Sequence, residues 1–305
     1  MRDALLRDLA QLPYEIITTV DARLAAPVLV PSAIEINEKD DIWQVWEQQI
    51  RAADAVWLIA PETADDTGNS ALKKMTELAV RHHKKVIGCG LHAIEVTSSK
   101  LATYHMLQQA NIATIPTFTL ENWPKSAGTW LAKPNDGAGC EETFYFKNVD
   151  ELTDWISAWN KAGSHIVQPF VTGISASISC VMQRGKARVL SGNTQLIEIK
   201  NHQLKFNGCI VNGMREHWAA FEIVANKIAL ALPDLAGYVG IDVIVDIDLE
   251  NKKVIVVEVN PRLTTSYCGL ARAIGANPAA LIINTLTQEN FEWPALQQNL
   301  VELHV

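Results

Sequence analysis

The chain has 305 residues, enough for two or three small domains, and its 48% apolar content is ample for a buried core. Its net charge of −8, with no run of Lys and Arg, argues against a nucleic-acid surface but leaves room for a nucleotide in a local basic pocket. No stretch is apolar for long enough to span a bilayer, the first residues carry no signal-type apolar region, and the five cysteines lack any Cys-x-x-Cys pair; the expectation is a cytoplasmic protein with reduced thiols, no membrane and no zinc.

In chain order, Glu15–Val20 reads as a short strand and Asp40–Ala53 as a helix with Trp43, Trp46 and Ile50 on one stripe. Ala55–Ala60 is a nearly continuous apolar strand, Ser70–His82 a helix, and Lys85–Gly88 a third strand, so βα alternation predicts a parallel sheet. Gly88-Cys-Gly90-Leu-His-Ala93 fits the dinucleotide pattern G-x-G-x-x-A, but the acid expected about 20 residues on is missing. It therefore reads as the turn leaving the third strand. His82-His83, beside Lys84-Lys85, reads as a helix end.

Thr97-Ser98-Ser99 caps a helix running through Lys100, Tyr104 and Leu107. Pro116 ends a short strand, and Asn122–Gly128 is a loop. From Trp130 the pattern turns to hairpins: Thr129–Lys133, Glu142–Phe146, a helix over Glu151–Ala162, then His165–Pro169, Ser177–Gln183 and Ala187–Gly192. A last hairpin precedes a polar loop and a helix over Pro278–Thr287. An α/β front thus leads into a mostly antiparallel α+β body.

That last hairpin carries the strongest chemical signal. Its strands read Gly-Tyr-Val-Gly-Ile-Asp242-Val-Ile-Val and Val-Ile-Val-Val-Glu258-Val-Asn260-Pro-Arg262. Alternation puts Asp242 with Tyr238, Gly240 and Ile244, and Glu258 and Asn260 with Val254 and Val256. If the turn centres near Glu250, Asp242 lies opposite Glu258. Three hard oxygen ligands then converge as Mg²⁺ on substrate phosphates requires. Arg262 follows, where a guanidinium would clamp a phosphoryl oxygen. A plain half-buried hairpin would not need Glu and Asn, poor strand formers, at alternate positions.

The second signal is Trp-Leu-Ala-Lys133-Pro-Asn-Asp-Gly137-Ala138-Gly139-Cys140, a strand lysine before a two-glycine loop. Such a loop brings backbone N–H groups close to an anion, and the lysine adds a point charge. An ordinary Asp-Gly hairpin turn is the competing reading. Lys100, at a helix start, would be unremarkable without this company. Val167-Gln168-Pro169-Phe170-Val171 is a strand broken by proline, a hinge whose backbone would suit an adenine edge.

In this order the pieces resemble the ATP-grasp superfamily, from about Ser98 onward, with the front matching its usual preceding domain. Glu258-Val-Asn260-Pro-Arg262 is the specific part. Ser99-Lys100-Leu-x-x-Tyr104, Asn260-Pro-Arg262-Leu-Thr-Thr-Ser266-Tyr and Ala60-Pro61-Glu62 are most similar to tyramine–glutamate ligases of methanofuran biosynthesis. The resemblance implies an ATP-grasp fold with an N-terminal α/β pre-ATP-grasp domain at 1–97, a small subdomain at 98–172 and a large one at 173–305.

It further implies that Lys100 and Lys133 contact ATP phosphates, with Gly137, Ala138, Gly139 and Cys140 covering them. Gln168 and Phe170 would meet adenine through the backbone. Asp242, Glu258 and Asn260 would hold Mg²⁺, or Mn²⁺ in its place, and Arg262 would act with Lys133 on the transferring phosphoryl group. One departure stands out. Relatives carry a ribose-binding acid in a Gly-x-Glu-x-Ser string after the hinge. Here the string is Gly173-Ile-Ser175-Ala-Ser177, leaving Ser175 for the ribose hydroxyls.

The expected activity is ATP-dependent amide formation from glutamate and an amine such as tyramine or tyrosine, through an acyl phosphate. The partners would be small molecules, with a homo-oligomer left open. Asp21, Arg23 and Glu62 at front-strand ends, and Thr264, Thr265 and Ser266 after Arg262, are the candidate substrate contacts, with Tyr267 facing an aromatic acceptor. Turn or cap roles compete for Asp21 and Glu62. Another ATP-grasp amino-acid ligase, a non-catalytic nucleotide-binding module and a dinucleotide oxidoreductase are the alternatives.

Overall fold

A computed structural model describes residues 1–24, 33–61, 70–137, 139–158, 164–246 and 253–305. Helix α1 (Arg2–Leu9) precedes a front unit made of β1 (Thr18–Asp21), β2 (Ala33–Ile36), α2 (Ile42–Ala52), β3 (Ala55–Val56), α3 (Ala71–Arg81) and β4 (Lys85–Val86). The strands pair in parallel, as the alternation predicts, but as two separate couples, β1 with β2 and β3 with β4. The ladder of β3 stops at Val56, short of the apolar run. Trp57 instead packs against the core under the helices at Tyr267–Ile274 and Pro278–Thr287, and Leu58 against both the couple's own core and the one under the helix at Trp218–Ala231. Burial, not pairing, explains that part of the run. Helix starts follow side-chain caps: Asp41 accepts from the N–H groups of Trp43 and Gln44, and Ser70 from that of Lys73.

Helices α4 (Leu91–Thr97) and α5 (Lys100–Gln109) connect the front to the body. Ser99 caps α5 by accepting from the Ala102 N–H at 3.1 Å. The body's first strands are β5 (Phe118–Thr119), β6 (Trp130–Pro134), β7 (Phe144–Phe146) and β8 (His165–Pro169), with α6 (Val149–Ala158) packed on them. Their core holds Trp123, Trp130, Phe146, Leu152 and Val167. Then come β9 (Ile174–Gln183), β10 (Lys186–Lys200), β11 (Gln203–Val211), α7 (Trp218–Ala231), β12 (Gly237–Val245) and β13 (Val254–Asn260). Helices α8 (Tyr267–Ile274) and α9 (Pro278–Thr287) and strand β14 (Val301–His304) close the chain.

These body strands form one sheet in the order β13-β12-β9-β10-β11-β7-β6-β8-β5, with β14 on β11. Among the described residues β7 and β11 meet at a single register pair, Gln203 with Phe144. The sheet therefore consists of a long-stranded part and a short-stranded part joined at one point. The long-stranded part is covered on one face by α4, α5 and α7, where Val239, Ile241, Val243, Val254 and Val256 are buried. Its other face is covered at one end by α1, α8 and α9. The remaining length of that second face is open and forms the floor of a cleft.

Candidate active site

Asp242 stands opposite Glu258, as strand alternation and pairing require. Val254 and Val256, however, do not share the face of Glu258. The ladder pairs Asp242 with Glu258 but Val243 with Val256, so Val257 is an extra residue. This β-bulge shifts the alternation by one. Val254 and Val256 point into the core, while Val257, Glu258 and Asn260 line the cleft.

The cleft is a cavity of about 600 Å³. Lys100 reaches it from the first turn of α5 and is buried rather than solvated. Its Nζ lies 3.1 Å from the Gly137 carbonyl and 3.4 Å from Glu258 Oε2. Lys133, closing β6, is also buried, and burial pushes its pKa down to about 8 against the pull of Glu258. Gly137 and Gly139 take positive φ of 100° and 73°, which a side chain would resist. Ala138 lies outside the described residues.

Asn260 donates to Asp242 Oδ2 at 3.1 Å, and Gln195 donates to Oδ1 at 2.8 Å. Burial and the facing Glu258 carboxylate nevertheless raise Asp242 to about 7. Burial also acts on Glu258, but Lys100, Lys133 and Arg262 outweigh it and hold that carboxyl below its usual range. The pair is thus poised for a cation that would let both acids ionise. Arg262 Nη2 lies 3.4 Å from Asn260 Oδ1, which ties the guanidinium to the same cluster. Among the described residues no three His, Cys, Asp or Glu side chains form a metal cage. Two carboxylates and an amide fit Mg²⁺, which keeps waters and takes phosphate oxygens for the rest.

The hinge departs from expectation in one respect. Gln168 sits in the β6–β8 ladder opposite Leu131, and the Phe170 N–H already donates to the Thr129 carbonyl at 2.8 Å. That N–H would meet a base edge only by breaking this bond. Gln168 donates to Thr117 Oγ1 at 2.7 Å, and its buried Oε1 has no protein partner. Gln168, Phe170 and Ser175 all line the cavity.

Thr264, Thr265 and Ser266 line it as well. The Thr264 and Ser266 hydroxyls are held in a buried network with Tyr238 and Ser179. Tyr267 does not face a substrate: it is the first residue of α8, fully buried against Tyr238. Asp21 and Arg23 are not brought to the cavity. They pair with each other at 2.6 Å on the exposed front surface, an arrangement of little energetic weight. Glu62 lies outside the described residues. Gln195 went unnoticed in the sequence because it reaches Asp242 across the intervening strand β9, and nothing local marks that tie.

Among the described residues no helix is long and apolar enough to cross a membrane. Two family models match: a pre ATP-grasp domain over residues 14–94 and an ATP-grasp domain over residues 97–266. The chain is 30% identical to the tyramine–L-glutamate ligase of Methanocaldococcus fervens, over 70% of this chain and 60% of that one. It is 27% identical to the enzyme of the same name from Methanocaldococcus jannaschii, over 85% and 72%. The chain thus spans between three fifths and three quarters of the length of these relatives. A biotin carboxylase domain from Hydrogenobacter thermophilus, solved with MgADP and bicarbonate, superposes with a TM-score of 0.76 at 14% identity, covering 97% of this chain and 69% of that one. The cleft with its bulged carboxylate strand, glycine loop and buried lysines, together with the match over residues 97–266, places this chain in the ATP-grasp family.

Proposed function

We propose that this protein is an ATP-dependent carboxylate–amine ligase joining glutamate to an amine such as tyramine, the amide-forming step of a methanofuran-type cofactor assembly. The observation that carries the reading is the Asp242–Glu258 pair, facing each other beneath Lys100, Lys133 and Arg262 in one cavity. The names of the Methanocaldococcus relatives support the choice of substrates. The division into units at 1–97, 98–172 and 173–305 is part of the same proposal.

Asp242, Glu258 and Asn260 would hold Mg²⁺, which supplies charge neutralisation at the phosphates. Lys100 and Lys133 would bind phosphate oxygens, and the backbone of the glycine loop would close over them. Glutamate's carboxylate attacks the γ-phosphorus, the bond to the β-phosphate oxygen breaks, and ADP leaves. Arg262 stabilises the charge on the transferred group. The amine nitrogen then attacks the acyl carbon, phosphate departs, and the nitrogen loses a proton. Positioning and charge compensation do most of this work, since no protein nucleophile is required.

The test is ATP with glutamate and tyramine, following ADP, phosphate and amide. Hydroxylamine in place of the amine should trap a hydroxamate. Formation of AMP and pyrophosphate would overturn the acyl-phosphate route, and absence of amide with any amine would overturn the ligase reading.

A further inference from the structure

One wall of the cavity is left without a role by this chemistry. The outer half of β10 pairs with β11 so that Ile197 stands opposite Phe206 and Ile199 opposite Leu204. All four side chains line the cavity. A second bulge makes this possible. Leu196 pairs with Gly208 but Ile197 with Phe206, so Asn207 is an extra residue and β11 changes its alternation there. Without it Cys209 and Phe206 would not both face the cleft.

The strip has a direction. Its inner end is Gln195, hydrogen-bonded to Asp242, with Cys209 opposite. Its outer end is Ile199, which is 44% exposed. Phe206 leans on the core around Leu263 and Tyr267, directly behind the loop that follows Arg262. The hinge has its own apolar surface in Ile115, Leu131 and Val171, so an adenine ring does not need the strip. Among the described residues, the cationic side chains lining the cavity are Lys100, Lys133 and Arg262, and all three act on Glu258 at the inner end; Met1 also lines the cavity. None belongs to the strip.

We infer that the strip of Ile197, Phe206, Ile199 and Leu204 is the acceptor subsite, and that its ligand is an amine with an aromatic or aliphatic body and no carboxylate. The inference rests on the ligase reading. Such an amine enters from the exposed outer end and lays its ring on Phe206 and Ile197, where aromatic pairs and apolar burial favour it. Its nitrogen then points toward Gln195 and Asp242, where the activated acyl group would lie. An amino-acid acceptor would bury a carboxylate against the strip with no cationic side chain of the strip to meet it, which is costly.

The experiment compares tyramine, phenethylamine, tyrosine and ethanolamine as acceptors, with glutamate and ATP saturating. Wild-type kcat/KM should favour tyramine and phenethylamine over tyrosine and ethanolamine by about tenfold or more. Phe206→Ala and Ile197→Ala should each raise the KM for tyramine roughly tenfold, with the KM for ATP held within about twofold; Phe206→Leu should restore most of the loss. If Phe206→Ala fails to fold, Ile197→Ala carries the same comparison. Should wild type form no amide with any amine, the ligase reading falls and the subsite with it. Should it ligate with ethanolamine as well as with tyramine, or should both alanine variants leave the tyramine KM unchanged, only the subsite is overturned. A rise in the KM for ATP instead would assign this wall to the nucleotide.

Discussion

At the inner end of the cavity Lys100, Lys133, Asp242, Glu258 and Arg262 are packed within electrostatic reach of one another, while at the outer end Ile197, Ile199, Leu204 and Phe206 present only carbon. Each end includes a strand that carries one extra residue, Val257 in β13 and Asn207 in β11. The two ends differ in what they cost the fold. Apolar side chains that face a cleft forgo some burial and little else. A buried carboxylate that faces another, as Asp242 faces Glu258, opposes folding when it ionises. Asp242 at the inner end should therefore respond to substitution in activity and in stability with opposite signs, whereas the outer end should respond in acceptor binding alone.

The largest expected effect is on turnover. Glu258→Ala and Asn260→Ala should each lower kcat by about a thousandfold or more while circular dichroism stays native, because a lost hard ligand has no substitute and a polar change on a cleft face leaves no core void. Near-wild-type ADP release in either variant would erase the distinction between the two ends. Next comes Lys133→Ala, expected to raise the KM for ATP by roughly one to two orders of magnitude through loss of a buried phosphate donor, readable by nucleotide titration.

The sign reverses for stability. The folded protein raises Asp242 from the usual carboxylate range to about 7. Between those two values the folded state keeps a proton that the unfolded chain gives up, so stability falls as pH climbs through that window and stays low above it. Glu258 works in the other direction, its lowered pKa adding stability that is lost as pH falls through the acidic range. Asp242→Asn should therefore stabilise the ligand-free protein at pH 8, by about 1–3 kcal/mol, and not at pH 4, while abolishing ligation. Equal melting temperatures for the two proteins at pH 8 would show that the pair carries no such cost. The smallest expected effect is that of Arg23→Ala, within about twofold of wild type in every kinetic constant, since Arg23 pairs with Asp21 on the exposed surface. A clear rise in the KM for glutamate would bring the front strand ends back to the substrate.

The charged end was legible in the sequence because its residues are conspicuous where they stand. Glu258, Asn260 and Arg262 at alternate positions of an apolar strand, and Lys133 before two glycines, break the pattern around them. Lys100, at the helix start that Ser99 caps, stood out only through the company of these residues. Helix α9 was readable from Pro278 at its start, with Asn277 capping it. The apolar end carries no such mark, since Ile197, Ile199, Leu204 and Phe206 read like any half-buried strand. Neither bulge is announced by its residue, Val257 in one strand and Asn207 in the other. The β14 edge and helix α8 are illegible in the sequence for a related reason: Val301–His304 and Tyr267–Ile274 acquire their places from β11 and from the second core, not from local preference. Helix α7 is legible in the sequence, as Phe221, Ala225 and Ile228 fall at helical spacing.

The extra residue at Val257 makes strand length an experimental handle on the Glu258 carboxylate. Removing Val257 would leave each pairing from Gly240 with Asn260 to Val245 with Val254 in place, and each side chain on its present face. What would go is the local kink, and with it the direction in which Glu258 leaves the backbone. A one-residue deletion inside a strand, ordinarily among the harshest of changes, becomes here a way to alter aim while holding register and charge constant.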